Sequence, residues 1–276
     1  MHISQIIPFL DENKKNTKIH CAIGDTKNGS SKLEPFFIFS KGKFKEWQDR
    51  QRQKNFEKKY ILSLIYINKN EWLFAGIYQT FDIKEIIDDN GKILYKYKTE
   101  LMENGKELIG KLIINFIKDF RATYLLLENY IDNLLLCEIR KNEYRFEPFR
   151  SFSDVYITFD LLKEIINNNE SSWKTALSTV KGIYLISDKS NGKLYVGSAY
   201  GENAFWQRWS AYMENGHGGN KMLKAIIAKN GIKYCENFIF SILEICNMNT
   251  MDEEIINKEA FWKKRLFSKE YGYNDN

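Results

Sequence analysis

The sequence predicts an α+β protein with two domains, and three observations carry this prediction. Several short strand-like runs between residues 60 and 116 are separated by turn signals. A polar run without periodicity follows at 167–172. Beyond it the pattern is two strands, two helices, a strand and a helix. We therefore expect a strand-rich domain over 1–170, a linker over 171–180 and a second domain over 181–276.

The first domain is predicted to hold a small curved or barrel-like sheet. Its candidate strands cover residues 60–68, 71–80, 92–102, 106–116 and 134–139. Turn residues at 68–70 and 103–105 predict that the first four of these strands pair as two hairpins. Short strands joined in this way favour a barrel-like sheet. Helical patterns over 43–57 and 160–167 flank the strands.

The second domain is predicted to be a small three-stranded antiparallel sheet with flanking helices. Asn191-Gly192 lies between the first two strands and is a strong hairpin signal. The last helix opens on Thr250, with Glu253 three residues later, which is the pattern of a capping box. The strands are expected at 182–187, 193–198 and 238–245, and the helices at 204–213, 221–229 and 250–266.

The predicted hairpin gives two tyrosines a common face. If Asn191 and Gly192 form a two-residue turn, position 186 lies opposite position 197. Because side chains alternate along a strand, Tyr184, Tyr195 and Gly197 then share one face of the hairpin. Tyrosine is common in strands for reasons of packing alone, so the pair by itself leaves a structural role open.

Composition bounds the class of protein. With 43% hydrophobic and 28% charged residues, the 276-residue chain can bury substantial cores. No run approaches the ~20 apolar residues of a membrane helix, and the start of the chain lacks a signal-peptide pattern. We therefore expect a cytoplasmic protein without membrane contact, in which the 4 scattered cysteines are free thiols.

A basic stretch in the first domain suggests a polyanionic partner. The net charge is +5, and residues 41–59 carry more lysine and arginine than acidic residues. Cations there would follow a phosphate backbone while an aromatic ring stacks on bases. An exposed helix with its aromatic rings packed inward is the alternative. The candidate DNA-binding residues are Lys43, Lys45, Trp47, Arg50, Arg52 and Lys54.

Several side chains in the second domain have the chemistry of a phosphate site. Arg208 and Tyr212 are four residues apart, so they share one face of a helix. The planar guanidinium of an arginine suits a phosphate. His217 lies in a glycine-rich loop, where it is either a base or a solvated side chain. Asn274 lies near the end of the sequence and on its own indicates only a tail residue.

Glu259 interrupts an apolar helical stripe. Ile255, Glu259, Trp262 and Leu266 follow one another at helical spacing. A carboxylate on a buried face costs free energy unless it is paired or holds a metal ion. A metal site and a buried salt bridge, for example with Arg208, are both consistent with this position.

These residues together resemble a known family. Gly182-Ile183-Tyr184 and Tyr195-Val196-Gly197 match the naming motifs of the GIY-YIG nuclease superfamily. The match continues through Arg208-Trp209, Glu259 to Trp262, and Gly272-Tyr273-Asn274. The resemblance covers about a third of the chain and is especially close to the catalytic domains of homing and restriction endonucleases.

The resemblance implies a role for each matching residue. Tyr184 and Tyr195 would place or activate the attacking water, which requires the site's positive charge to lower a phenol pKa from about 10. Arg208 would hold the scissile phosphate, and Glu259 would bind Mg²⁺ or Mn²⁺. Asn274 would help to order the site.

Two further positions follow from the same resemblance. Tyr212 lies where relatives carry histidine or tyrosine and is counted with the catalytic residues. His217 falls near another family histidine and is an accessory candidate. Some relatives carry a lysine directly after the second motif; Ser198 stands there in this chain and receives no role.

The resemblance implies a divalent-metal-dependent DNA endonuclease that hydrolyses phosphodiester bonds. We expect a restriction or phage-defence enzyme in which the first domain chooses a double-stranded DNA target. A homing or DNA-repair nuclease is one alternative, and a non-catalytic regulator with a silenced nuclease fold is another. Because one active site cuts one strand, a homodimer on DNA is expected for double-strand cleavage.

Overall fold

The computed structural model describes residues 1–25, 31–88 and 91–275, and the chain divides into two compact units. The first unit spans Met1–Phe146 and the second Glu147–Asn276. The division therefore falls earlier in the sequence than predicted. Among the helices of the described residues, none has the length and apolar character needed to cross a membrane.

The first unit is a mixed sheet with short helices. Its strands in the described residues are β1 (Thr17–Ala22), β2 (Arg50–Gln51), β3 (Tyr60–Asn68), β4 (Glu71–Ile87), β5 (Ile93–Leu101), β6 (Leu112–Asn115), β7 (Tyr124–Leu126) and β8 (Leu135–Ile139). Its helices are α1 (Ile3–Ile6), α2 (Phe9–Glu12), α3 (Glu34–Ser40) and α4 (Phe44–Asp49). Short 3-10 helices cover Lys14–Asn16, Lys106–Leu108, Leu127–Asn129 and Ile131–Asn133.

The sheet of the first unit is branched. Its main path runs β2-β5-β4-β3-β1-β7, while β6 pairs with β4 and β8. β1 and β3 are parallel, and the remaining pairs are antiparallel. No strand pairing within the described ranges closes this sheet into a ring, so the barrel-like form is not found. The hairpin of β3 and β4 is confirmed.

The predicted hairpin at 103–105 is wrong, and the length of β4 explains why. β4 has 17 residues, so its first part pairs with β6 and its later part with β5. Gly105 adopts a left-handed conformation and opens a 3-10 turn instead of joining β5 to β6. The two strands on either side of the predicted turn, β5 and β6, thus both pair with β4 and not with each other.

The helix predicted over 43–57 is also shorter than expected. Helix α4 ends at Asp49, and the chain then pairs with β5 through β2. Buried side chains at its end are held by the sheet: Thr99 donates to Asp49 over 2.6 Å and Ser63 donates to Gln48 over 2.5 Å. These tertiary hydrogen bonds fix the end of the helix against the local helical pattern.

The second unit is a four-stranded antiparallel sheet with helices. Its strands are β9 (Tyr156–Thr158), β10 (Lys181–Asp188), β11 (Leu194–Ala199) and β12 (Phe238–Cys246), in the order β11-β10-β12-β9. Its helices in the described residues are α5 (Phe159–Asn167), α6 (Ser171–Ser178), α7 (Ala204–Asn215), α8 (Lys221–Asn230) and α9 (Asp252–Arg265). Short 3-10 helices cover Phe152–Asp154 and Ile232–Asn237.

The second unit begins before the predicted linker because of β9. This strand pairs with β12, from Thr158 opposite Ile239 to Tyr156 opposite Ser241. The prediction of three strands is therefore short by one. Helix α6 occupies most of the residues that were predicted as a linker, so the polar run at 167–172 joins two helices of one unit.

The central hairpin has a different register from the predicted one but the predicted faces. Tyr184 lies opposite Gly197, and Ile186 lies opposite Tyr195. The turn is longer than two residues because Asp188 holds it, accepting hydrogen bonds from the backbone of Gly192 and from Ser190. A shift of two residues preserves the alternation of faces, so the shared face is confirmed.

Helix α9 begins without the predicted capping box. Its first helical residue is Asp252, and Met251 precedes it without a side-chain cap. The backbone carbonyl of Thr250 instead accepts a hydrogen bond from Lys181 over 2.8 Å. Acidic residues in the first turn and basic residues in the last turn favour this helix through its dipole.

Candidate active site

The two motif glycines allow close packing around the central hairpin. A Cβ atom at Gly197 would overlap the phenol ring of Tyr184, which lies directly opposite. A Cβ atom at Gly182 would overlap the backbone carbonyl of Glu244 on β12. Glycine at these positions therefore lets the ring of Tyr184 pack closely against β11 and lets β12 approach the start of β10.

Tyr184 links the hairpin to helix α7. Its hydroxyl accepts a hydrogen bond from Nε of Arg208 over 2.9 Å and lies 2.9 Å from the hydroxyl of Tyr212. Tyr184 and Tyr212 are both fully buried. The ring of Tyr195 lies 6.3 Å from the ring of Tyr184 on the same face of the hairpin. The structure thus brings four of the predicted site residues together.

Burial controls the protonation of these phenols. It raises the pKa of Tyr184 well above its ordinary value, and the positive charge of Arg208 offsets only part of this effect. Burial likewise raises the pKa of Tyr212. The expectation that the site lowers a phenol pKa is therefore wrong for Tyr184, which is a neutral hydrogen-bonding group at neutral pH.

Arg208 is the cation of this cluster. It is half-buried, and its Nη1 donates to the carbonyl of Gly218 over 2.9 Å while its guanidinium lies 5.6 Å from the ring centre of Tyr212. Nε and Nη1 are engaged, and no described residue accepts a hydrogen bond from Nη2. This edge of the guanidinium can therefore bind an oxyanion such as a phosphate.

Glu259 lies on helix α9, and its partners differ from the one considered from the sequence. The hydroxyl of Ser198 on β11 donates to its Oε2. Nζ of Lys263, one helical turn further on, lies 2.7 Å from its Oε1. The salt bridge is thus with Lys263 and not with Arg208. The side chain of Glu259 retains 19% exposure, so the carboxylate remains accessible.

Glu259 suits a divalent cation as a single protein ligand. In the described part of the chain no group of three or more His, Cys, Asp or Glu side chains converges on one point. Mg²⁺ tolerates this, because it keeps several waters and takes further oxygens from a substrate phosphate. Glu259 already forms an ion pair with the ammonium of Lys263, so its carboxylate interacts favourably with a positive charge at this position.

Asn274 is a structural part of the site and not a loose tail residue. Its side-chain oxygen accepts a hydrogen bond from the backbone N–H of Val196 over 2.9 Å. Its side-chain nitrogen donates to the carbonyl of Val196 over 2.8 Å. Asn274 therefore satisfies the free edge of β11 as another strand would, between Tyr195 and Gly197.

His217 lies beside the cluster in the loop that Arg208 contacts. It is half-buried, and its Nδ1 accepts a hydrogen bond from the backbone of Gly219 over 3.0 Å. This contact stabilises the loop next to Gly218, the residue whose carbonyl holds Arg208. The structure therefore gives His217 a local structural contact, and any part in the chemistry stays a prediction.

In the first unit, the predicted DNA-binding residues divide into exposed cations and a packed ring. Trp47 is half-buried and stacks on His20 at 5.9 Å between ring centres. Its neighbours Phe44 and Phe56 are buried, as the alternative interpretation holds. The five cations are exposed, and three of them form ion pairs, namely Lys45 with Asp49, Arg52 with Asp25, and Lys54 with Glu85.

Sequence reasoning missed two partners of Glu259. Ser198 directly follows the second motif, and its side chain contacts the carboxylate. Lys263 lies four residues after Glu259, and this spacing alone signals a pair on one helix face. It also missed Asp188, which is buried and accepts hydrogen bonds from Tyr234 over 2.6 Å and from Tyr273 over 2.7 Å.

The fold and the site define the class of this protein. A glycine-flanked tyrosine hairpin, an arginine on the following helix and a lone carboxylate on the last helix occupy the second unit. Residues 180–274 match the family model of the GIY-YIG catalytic domain. The chain thus contains a GIY-YIG catalytic domain over these residues.

Particular relatives match about a third of the chain. Intron-associated endonuclease 1 of Enterobacteria phage T4 is 36% identical over 94 residues, which are 34% of this chain and 36% of that protein. The chain thus spans about a third of this curated relative. Two solved structures of the catalytic domain of the homing endonuclease I-TevI, one of them a mutant, are 34% and 35% identical. Both match 35% of this chain, covering 98% and 94% of those domains, with TM-scores of 0.29.

Proposed function

We propose that this protein is a divalent-metal-dependent DNA endonuclease that hydrolyses phosphodiester bonds. The observation that carries the proposal is the pairing of Arg208 with the buried Tyr184 hydroxyl, next to the strand whose Ser198 holds Glu259. A fixed guanidinium and an accessible carboxylate are the charges that phosphodiester hydrolysis requires. The matching family domain and its endonuclease relative support the same activity.

Each residue has a separate task in the proposed reaction. Arg208 binds the scissile phosphate through its free edge and stabilises the negative charge that develops on it. Tyr184 and Tyr212 hold the guanidinium in place and do not act as bases, because their buried phenols stay neutral. Tyr195 orients the attacking water from the same face of the hairpin.

Glu259 is the proposed ligand of Mg²⁺ or Mn²⁺. An ion held there would act as a Lewis acid for the negative charge on the leaving oxygen. Ser198 orients the carboxylate through its hydroxyl, and Asn274 fixes the backbone of the strand that carries Ser198. Lys263 neutralises the carboxylate when no divalent ion is bound.

We assign target choice to the first unit, which lies outside the residues that the family model matches. Its exposed cations Lys43, Lys45, Arg50, Arg52 and Lys54 provide positive charge for a double-stranded DNA backbone. We favour a restriction or phage-defence enzyme that acts as a homodimer on DNA. The similarity to an intron-associated endonuclease favours a homing nuclease as the second candidate.

A substrate panel tests the proposal. The purified full chain is incubated with plain and base-modified plasmids, single-stranded DNA and RNA, with Mg²⁺, Mn²⁺ or EDTA. We expect nicking or cutting of duplex DNA that requires a divalent ion. Cleavage restricted to one modification state supports the restriction type, and cleavage of a single long site regardless of modification supports homing. Absence of cleavage across the whole panel would overturn the endonuclease proposal.

A further inference from the structure

The ends of β4 and β5 form a ribbon that extends beyond the pairings of β4 with β3 and β6. It runs from Asp82 opposite Lys98 to Ile87 opposite Ile93. The third strand of this region, β2, pairs with β5 only at Lys96 and Tyr95. The other pairings of β4, with β3 and β6, end at Gln79, before the ribbon begins. The ribbon is thus two-stranded except beside Lys96 and Tyr95, where β2 adds a short third strand.

A bulge separates this ribbon from the body of the sheet. The register shifts between Thr80 and Asp82, so Phe81 is the extra residue of β4. Phe81 is 51% exposed. Bulges increase the local twist and bend the strand that carries them. The ribbon therefore leaves the plane of the sheet at Phe81.

One face of the ribbon carries a row of like charges. Arg50 on β2 lies opposite Lys96 on β5, and Lys96 lies opposite Lys84 on β4. All three side chains are exposed, and no described carboxylate forms an ion pair with any of them. Lys98 extends the row, although Asp82 lies opposite it. Like charges placed directly opposite each other destabilise a sheet, and an anionic ligand removes that cost.

The opposite face of the ribbon is directed toward the unit's own aromatic side chains. Tyr97 is buried, its hydroxyl accepts a hydrogen bond from the backbone N–H of Phe56 over 3.2 Å, and its ring lies 5.2 Å from the ring of Phe56. The ammonium of Lys54 lies 5.3 Å from the ring centre of Tyr95. The cationic face is therefore the one available to a partner.

From this arrangement we infer that the ribbon enters the major groove of duplex DNA and that its row of Arg50, Lys84 and Lys96 contacts phosphates there. The inference rests on the proposed function and names the surface that positions the chain on the target duplex. The major groove of B-form DNA is wide enough for a two-stranded ribbon, and the ribbon's ~17 Å of paired length suits it. The groove walls are lined by phosphates, which match the charge of the row.

Quantitative DNA binding tests the inference. A variant with R50Q, K84Q and K96Q is compared with the parent chain by fluorescence anisotropy on a 30-bp duplex, in EDTA and over a range of salt concentrations. Each lost phosphate contact lowers the slope of log K against log salt by ~0.9. We expect the slope to fall by about 2–3 and affinity in 0.1 M salt to fall by about two orders of magnitude.

A charge-matched control keeps the result specific. Lys69, Lys106 and Lys141 are exposed lysines of the same unit outside the ribbon, and their triple glutamine variant removes the same charge. It should bind DNA within about threefold of the parent chain, because it leaves the row intact. Equal weakening by both triple variants, or no weakening by the ribbon variant, would overturn the inference. The ribbon variant should lose DNA binding and still show the melting transition of the parent chain, which would exclude misfolding as the cause of the lost binding.

A second nucleic acid distinguishes groove entry from simple charge attraction. Double-stranded RNA has a deep and narrow major groove that side chains do not read. The ribbon variant should therefore lose affinity for duplex DNA more than for duplex RNA of the same sequence. Equal losses would contradict groove entry. Because binding is measured without metal, a chain that binds through the ribbon but never cleaves would refute only the endonuclease proposal.

Discussion

Each unit buries a polar cluster beneath aromatic rings, and the two clusters differ in charge. In the first unit, His20 is buried between stacked rings and its Nδ1 lies 2.9 Å from the side-chain oxygen of Gln48. In the second unit, Tyr184 and Tyr212 are buried around Arg208, which stays half-exposed. The first cluster is enclosed on all described sides, whereas the second presents a cation at its surface.

The difference separates a structural cluster from a chemical one. Burial lowers the pKa of His20 to about 4, so the ring is neutral and its hydrogen bonds serve packing. Arg208 keeps its charge at any working pH, and buried phenols hold it without using all of its donors. In this protein, the buried polar groups around Arg208 indicate function because they position a charge that remains accessible. Those around His20 hold no such charge.

Among the tests of the two buried clusters, the largest expected effect comes from Arg208. Replacing it in Arg208→Lys keeps the charge but removes the planar fork and the Nε hydrogen bond to Tyr184. We expect single-turnover DNA cleavage to fall by about 100-fold or more, since losing one transition-state donor costs about that much. Arg265→Lys, an exposed arginine on helix α9, is the matched control. A loss below about threefold would contradict the assignment.

The His20 cluster is expected to make the stability of the fold depend on pH in the acid range. Because the folded-state pKa of His20 is depressed to about 4, the unfolded chain binds more protons below pH 6.5. Stability is therefore lost as pH falls from 6.5 toward 4, by roughly 2–3 kcal/mol at pH 4.5. Urea unfolding of the parent chain and of His20→Phe at pH 7 and pH 4.5 measures this loss.

The variant should lose most of the acid sensitivity, since phenylalanine does not titrate. His217→Gln, which replaces the half-buried histidine of the second unit, is the control and should keep the parent's sensitivity. If His20→Phe destabilises equally at both pH values and the parent loses nothing in acid, the ring is not held neutral in the fold.

Packing under Tyr184 provides the next test. A methyl group at position 197 overlaps the phenol ring, so Gly197→Ala displaces Tyr184 and with it Arg208. We expect a stability loss of about 1–3 kcal/mol, as for other overpacked sites, together with reduced cleavage. Gly192→Ala has a left-handed backbone but open space around it, so it should cost stability while sparing cleavage. Full activity of Gly197→Ala would show that Tyr184 does not position Arg208.

The smallest effect is expected at Lys263. Its ammonium competes with a divalent ion for Oε1 of Glu259, so Lys263→Met should lower the Mg²⁺ concentration needed for half-maximal cleavage by several-fold. Lys264→Met, at the exposed neighbouring position, should leave the Mg²⁺ dependence unchanged. A higher Mg²⁺ requirement in Lys263→Met would mean that the lysine orients the carboxylate and does not compete.

The sequence predicted which side chains come together better than it predicted the architecture around them. The shared face of Tyr184, Tyr195 and Gly197 follows from strand alternation, which a two-residue change of register does not alter. The strand Tyr156–Thr158 escaped prediction because three residues carry too little periodicity, and only its pairing with β12 defines it.

Tertiary contacts also determine two features that the local sequence pattern does not predict, namely the end of helix α4 and the neutral state of Tyr184. Helix α4 ends early because buried hydrogen bonds from the sheet hold Gln48 and Asp49. The neutral state of Tyr184 depends on complete burial between two elements that are distant in sequence. The ion pair of Glu259 with Lys263 could have been predicted from the sequence, because Lys263 lies one helical turn away.

Plasmid nicking by Glu259→Gln tests the central claim most directly. The parent chain, Glu259→Gln and the exposed control Glu254→Gln are compared on supercoiled DNA with Mg²⁺, alongside DNA binding in EDTA and melting temperature. The parent chain and Glu254→Gln should nick the plasmid, and Glu259→Gln should bind DNA and remain folded without nicking it. Nicking by Glu259→Gln at the parent rate would show that the reaction does not depend on this carboxylate.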